Sequence, residues 1–187
     1  LADFVYAAVI IGIARGILVV AEGGMIIDTI LNALANLLAG VPAAVFTTNR
    51  FQAAPVVVAK EALAASGGRA RAFVMNSGQA NACTGDEGMR NCRTTQELVA
   101  GALGLEASDI LPASTGVIGA QLKMDKWAAA APQLAASLGQ ATAMDVAKAM
   151  MTTDSFPKLV AKTVPLPGGE VRVLGMCKGA GMICPNM

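Results

Sequence analysis

Ala70-Arg71-Ala72-Phe73-Val74-Met75-Asn76-Ser77-Gly78-Gln79-Ala80-Asn81 is the stretch that decides the fold. Ala70–Met75 reads as a buried strand, and Asn76 to Asn81 as a polar turn of small residues. Beyond it, Asp86 reads as the cap of a helix running through Glu97 to Leu103, which Gly104 closes. Strand, polar turn and helix in that order are the unit of an α/β protein. The pattern continues on both sides. Ala43–Thr47 and Pro55–Lys60 read as strands, and Glu61–Ala65 as a short helix stopped by Ser66-Gly67-Gly68. Ile110–Ala113 is a short strand ending at Ser114-Thr115-Gly116. Met124–Leu138 gives an alanine-rich helix and Thr142–Met151 a second one. Val160–Val164 and Val171–Leu174 flank Pro165-Leu166-Pro167-Gly168-Gly169, a hairpin-like turn. No repeat, linker or low-complexity stretch interrupts the 187 residues, so one domain over 1–187 is expected.

Composition narrows the class. Hydrophobic residues make up 55% of the chain and charged ones 14%, with a mean hydropathy of +0.56. A free-standing globule usually carries about a quarter to a third charged residues on its surface. Part of the apolar excess is therefore expected to face a membrane, another subunit or a partner chain. Net charge is +1 with no basic cluster, and aromatics are 4%, which leaves nucleic-acid binding without an electrostatic footprint. The chain has four cysteines (Cys83, Cys92, Cys177, Cys184) without CxxC spacing, and no histidine. Zinc sites that need histidine are excluded, and free buried thiols in a reducing, cytoplasmic compartment are expected. Ser-His and Cys-His pairs are excluded as well, so any general base is of another type.

The two ends are unusual. Phe4 to Ala21 carries one charge, Arg15, and Met25 to Val45 is apolar apart from Asp28, Asn32 and Asn36. About 20 apolar residues can span a bilayer, so a pair of membrane segments is one reading. Gly12, Arg15 and Gly16 break the first run, and no basic segment opens it as a signal peptide requires. These features favour the other reading, two buried strands followed by a buried helix over Thr29–Leu38. At the far end, Lys178-Gly179-Ala180-Gly181-Met182-Ile183-Cys184-Pro185-Asn186-Met187 is apolar and glycine-rich. Termini are usually polar and frayed. This one reads like the interior of a folded element that has been cut.

Polar knots stand at the ends of these elements, where ligands are usually met. Ser114-Thr115-Gly116-Val117-Ile118-Gly119 suits an anion-binding nest, since glycine lets successive N–H groups aim the same way. Such a nest can hold the oxyanion of acyl transfer. Taken alone, a plain strand-to-helix turn explains it better. Met151-Thr152-Thr153-Asp154-Ser155 offers hydroxyls and a carboxylate, or an ordinary helix end. Lys178-Gly179-Ala180-Gly181 offers a lysine for a substrate carboxylate, or a surface lysine on a glycine turn. Asn76 to Gly85 is either a further knot or a satisfied polar loop.

In order, the motifs are specific. Val45-Phe46-Thr47-Thr48-Asn49, Asn76-Ser77-Gly78-Gln79-Ala80-Asn81-Ala82-Cys83-Thr84-Gly85, Ser114-Thr115-Gly116-Val117-Ile118-Gly119, Met151-Thr152-Thr153-Asp154 and the run from Lys178 to Met187 closely resemble the ornithine acetyltransferase family. These are the bifunctional glutamate N-acetyltransferases of arginine biosynthesis. The resemblance covers residues 42 to 187. Residues 1–41 depart from the family, although Gly12-Ile13-Ala14-Arg15-Gly16 is similar to its Gly-Ile-Lys element.

The resemblance implies a precursor that cuts itself before a threonine into α and β chains, commonly assembled as α₂β₂. This chain looks like an α chain, with alanine and then the nucleophilic threonine expected after Met187. It implies a fold of α+β type, the DmpA/OAT-type αββα sandwich completed by a β chain. Carried over by motif, Thr115 and Gly116 form the oxyanion hole, and Thr152 and Lys178 bind substrate. Ser114 and Asp154 lie near without an assigned role. The implied reaction moves acetyl from N-acetylornithine to glutamate by a ping-pong scheme. No cofactor and no metal are expected, with acetyl-CoA as an optional co-substrate. No nucleic acid or membrane partner is expected. A related self-processing aminopeptidase and a membrane-anchored protein without enzymatic activity are the competing readings.

Overall fold

A computed structural model describes residues 8–12, 17–19, 43–167 and 169–179. Seven strands and four helices lie among them: β1 (Ala8–Gly12), β2 (Ile17–Val19), β3 (Ala43–Phe46), α1 (Ala54–Ala65), β4 (Ala72–Gln79), α2 (Gly85–Leu103), β5 (Ile110–Val117), α3 (Met124–Ala136), α4 (Ala143–Ala149), β6 (Lys158–Leu166) and β7 (Gly169–Cys177). A single 3₁₀ turn, Ala107–Asp109, leads into β5. The fold is α+β and belongs to the αββα sandwich architecture, with its strands in two sheets.

The smaller sheet is the parallel pair β4–β5, in register from Ala72 opposite Ile110 to Gln79 opposite Val117. Side chains alternate across a strand, and paired residues share a face. Val74 and Ile110 pack with Val99 and Ala100 of α2, Ala131 of α3 and the partly buried Trp127. Leu111, one residue on, points the other way and packs with Ala59 and Ala62 of α1 and with Phe46 of β3. Met75 also turns from the Val74 face, toward Ala147 and Met150 at the end of α4, Met176 of β7 and Leu159 of β6. The parallel pair thus has helices on one face and, on the other, α1 and residues of the larger sheet. Gln96 of α2 adds a buried hydrogen bond to the Ile110 carbonyl at 2.7 Å.

The larger sheet has the order β3-β1-β2-β7-β6. β6 and β7 form the expected hairpin, with Lys158 opposite Cys177 and Leu166 opposite Gly169. β2 runs parallel to β7, and β1 antiparallel to both β2 and β3. Two strands were expected within the apolar N-terminal stretch, and two are present. The helix expected over Thr29–Leu38 lies outside the described residues, as do residues 180–187. No helix among the described residues is long and apolar enough to cross a membrane.

Several boundaries differ from expectation for physical reasons. Pro55–Lys60 is not a strand: α1 runs unbroken over Ala54–Ala65. Three valines in succession suggested β structure, but Pro55, Val58, Ala59 and Ala62 are buried at helical spacing, and proline fits the first turn of a helix. The polar run after Met75 is not a turn as far as Gln79. The ladder to β5 continues through it, because Ser114 to Val117 extend β5 equally far. Thr84, not Asp86, stands at the N-cap position of α2, without a side-chain capping bond, and Asp86 and Glu87 lie in the first turn, where the positive end of the helix dipole favours them. Gly104 closes α2 as expected, at φ 66°. Burial of the cysteines is uneven. Cys92 is buried, which pushes its thiol up to about 12 against the pull of Arg93, whereas Cys83 is exposed. Cys83 and Cys92 are free thiols.

Candidate active site

The parallel pair ends in two glycines side by side, Gly78 opposite Gly116, at φ +125° and +130°. A Cβ at Gly116 would run into the backbone of Gly78, and that backbone conformation is one that L side chains rarely adopt. Glycine at 116 is therefore a requirement of the fold. It also leaves the main chain of Gly116 exposed, one residue before β5 ends. Thr115 precedes it, half-buried, and pairs in register with Ser77. The pleat puts both on the face of Met75. Ser77 Oγ donates to the Ala149 carbonyl of α4 at 2.7 Å, which confirms that orientation.

That hydrogen bond ties the end of the parallel pair to the loop carrying Thr152, three residues past Ala149. α4 is held at its start by Thr142, whose hydroxyl oxygen accepts from Asp145 N–H at 3.2 Å while the Asp145 carboxylate accepts from Thr142 N–H at 2.9 Å. Its end then delivers Met150 into the core with Met176, and the chain turns out at Met151. Thr152 is exposed, and its N–H donates to Asp154 Oδ2 at 3.3 Å.

Asp154 is the hub of this loop. Its side chain is 1% exposed, and Oδ1 accepts from Lys158 Nζ at 2.7 Å and from Gly179 N–H at 2.7 Å. Lys158 Nζ also donates to the Gly179 carbonyl at 2.6 Å and lies 5.0 Å from the centre of the Phe156 ring. Lys178 Nζ stands 3.9 Å from Asp154 Oδ2. Burial alone would raise the Asp154 carboxyl, but the hydrogen bonds from Lys158, Gly179 and Thr152, with the Lys158 charge, outweigh it and hold it at about 2. The hairpin brings the two segments together, since Lys158 opens β6 opposite Cys177, the residue before Lys178.

Thr152 and Lys178, far apart in sequence, are thus brought onto one carboxylate. Thr115 and Gly116 occupy the neighbouring strand end, joined to that loop through Ser77. Sequence reasoning left Asp154 without a role and did not single out Lys158. The signal lay in the lysine four residues after Asp154, because a buried carboxylate demands a cation. Asn76 opens the run that reads either as a further knot or as a satisfied polar loop. Its Nδ2 donates to the Gln79 carbonyl at 2.9 Å, and its buried Oδ1 has no hydrogen-bond partner among the described residues. Together these groups offer the exposed backbone of Gly116 at a strand end, a hydroxyl beside it, and an ammonium on the carboxylate of the loop tied to that end through Ser77. That combination suits a small ligand bearing a polarised carbonyl and a carboxylate.

The ArgJ family pattern matches residues 28–187. The chain is 68% identical over 145 residues, 78% of its length, to the arginine biosynthesis bifunctional protein ArgJ of Nitratidesulfovibrio vulgaris, and covers 37% of that protein. It is 43% identical over 94% of its length to the ArgJ protein of Rhodopirellula baltica, covering 42% of it. The chain therefore spans well under half the length of these relatives. Among solved structures, the ornithine acetyltransferase of Mycobacterium tuberculosis in complex with ornithine aligns with a TM-score of 0.69 at 38% identity, over 78% of this chain and 77% of that one. The ArgJ protein of Bacillus halodurans aligns with a TM-score of 0.68 at 37% identity, over 77% and 75%. By pattern, sequence and fold, the chain belongs to the ArgJ family of arginine biosynthesis.

Proposed function

We propose that this chain is the α chain of an ornithine acetyltransferase and carries the oxyanion-holding and substrate-binding half of the active site. The observation that carries the reading is the convergence of Thr152 and Lys178 on Asp154, beside the strand end that bears Thr115 and Gly116. Those four residues are the ones that the family motifs single out. The ornithine bound in the Mycobacterium tuberculosis relative supports an amino-acid substrate.

In the proposed reaction, a threonine opening the β chain of the same precursor supplies the hydroxyl nucleophile. Its own α-amino group, with an unperturbed pKa of about 8, serves as the base, consistent with a chain free of histidine. The hydroxyl oxygen bonds to the acetyl carbonyl carbon of N-acetylornithine, and its proton passes to the amine base. Thr115 and Gly116 hold the oxygen on which charge develops. The C–N bond then breaks, and ornithine leaves with the proton. Glutamate enters, its amine attacks the acetyl-threonine ester and gives a proton to the α-amino base, the ester C–O bond breaks as that proton returns to the threonine oxygen, and N-acetylglutamate departs. Lys178 pairs with the α-carboxylate that both amino acids share, and Thr152 donates a hydrogen bond. The enzyme works in the cytoplasm as α₂β₂ without a cofactor, with acetyl-CoA as a second donor in bifunctional members.

Lys178→Ala in the full-length protein tests the carboxylate role. The expected result is a rise of about tenfold or more in KM for N-acetylornithine and for glutamate with a smaller change in kcat. Unaltered KM for both substrates would refute it. N-terminal sequencing of the second chain of the purified protein tests the self-cleavage. Threonine is expected at its first position, and an uncut precursor with full activity would contradict the reading.

A further inference from the structure

Asp154 supplies no group to the proposed chemistry, yet its carboxylate meets both segments that carry substrate-binding residues. Oδ1 is bonded to Lys158 Nζ and Gly179 N–H, each at 2.7 Å, and Oδ2 accepts from Thr152 N–H at 3.3 Å. Lys178 Nζ approaches Oδ2 only to 3.9 Å, within ion-pair reach but beyond hydrogen-bond distance. Lys158 is the close cation, and the Gly179 carbonyl holds it from the other side at 2.6 Å. Two ammonium groups against one carboxylate leave this trio with one unit of positive charge. The geometry leaves that unit on Lys178, the ammonium held at the longer distance.

Resting on the functional reading above, we propose that Asp154 and Lys158 form a positioning pair that holds Thr152 and Lys178 in one site and keeps the Lys178 charge available to the α-carboxylate of the substrate. Asp154 alone would draw Lys178 into contact, because a buried carboxylate must be paired. Lys158 satisfies that demand. It sits at the hairpin position opposite Cys177, so the pairing and the placement of Lys178 come from the same strand register. Neither member of the pair needs to touch substrate. Both are positioning residues that act through Lys178 and Thr152.

The test uses the full-length, self-processed enzyme with two acetyl donors. N-acetylornithine carries the α-carboxylate, and N-acetylputrescine is the same molecule without it. In a ping-pong scheme kcat/KM for the donor reports only the first half-reaction, so the acceptor does not enter the comparison. Asp154→Asn and Lys158→Met are each expected to lower kcat/KM for N-acetylornithine by about tenfold or more, and to change it by less than about twofold for N-acetylputrescine. An equal loss with both donors would indicate a merely structural role and overturn the proposal. No loss with either donor would overturn it as well. Lys158→Met decides the matter if Asp154→Asn does not fold. A wild-type enzyme that moves no acetyl group from N-acetylornithine to glutamate would sink the functional reading itself. A competent wild type with non-discriminating variants would sink the positioning pair alone.

Discussion

Thr115, Gly116 and Asp154 stand in different environments, and each leads to its own expectation. Thr115 borders the exposed strand end, so its replacement is expected to act on the reaction more than on the fold. Thr115→Ala in the full-length enzyme should lower kcat by about 100-fold with little change in KM, the range seen when one oxyanion donor is lost. Unchanged turnover would remove Thr115 from that role. Gly116→Ala should act on the fold, because the new Cβ meets the Gly78 backbone at φ +130°. A loss of more than about 2 kcal/mol in a denaturant titration is expected. Asp154 ties stability to pH. Its folded value of about 2 lies below the ordinary 3.8, and an acid lowered in this way stabilises fully above its unfolded pKa and loses that effect as pH falls. Its contribution, about 2 kcal/mol, should be present above about pH 4 and gone near pH 2. Asp154→Asn should flatten that part of the stability profile, with Lys158 and Lys178 as the cations that face the group.

At the level of the element, what could be read early followed hydrophobic period and end signals. α2 is legible from Asp86 near its start, though in the first turn rather than at the cap, and from Gly104, and the β6–β7 hairpin from its proline-glycine turn. α1 was misread because β-branched valines outweighed the helical spacing of Pro55, Val58, Ala59 and Ala62. The extension of β4 through Asn76–Gln79 was not legible locally. It depends on β5 supplying Ser114–Val117 alongside, and polar strand residues without such a partner look like a turn. Of the candidate site, the separate motifs were legible but their meeting was not. Lys178 joins Asp154 only through the register of a hairpin, which one sequence does not print. α4 is a seven-residue helix whose start rests on the reciprocal Thr142–Asp145 bonds. Thr142→Ala should cost about 1 kcal/mol in thermal unfolding and loosen the loop bearing Thr152. An unaltered melting temperature would mean that packing of Ala147 and Met150 alone holds α4 in place.

For the whole molecule, the apolar excess of the composition reappears on the surface. Val117 is 63% exposed at the site's edge, Phe156 is exposed on the Asp154 loop, and Phe51 and Val160 are exposed as well. A second chain sharing one core with this one would cover such groups, which agrees with the proposed α/β complex. If the chain serves acetyl transfer between two amino acids, the acetyl group itself can be followed from one to the other. The full-length enzyme is incubated with N-acetylornithine labelled in the acetyl carbonyl and with unlabelled glutamate, without acetyl-CoA, and the products are resolved by mass spectrometry. Labelled N-acetylglutamate is expected in step with released ornithine. Labelled free acetate without N-acetylglutamate would identify a hydrolase of related fold and contradict acetyl transfer.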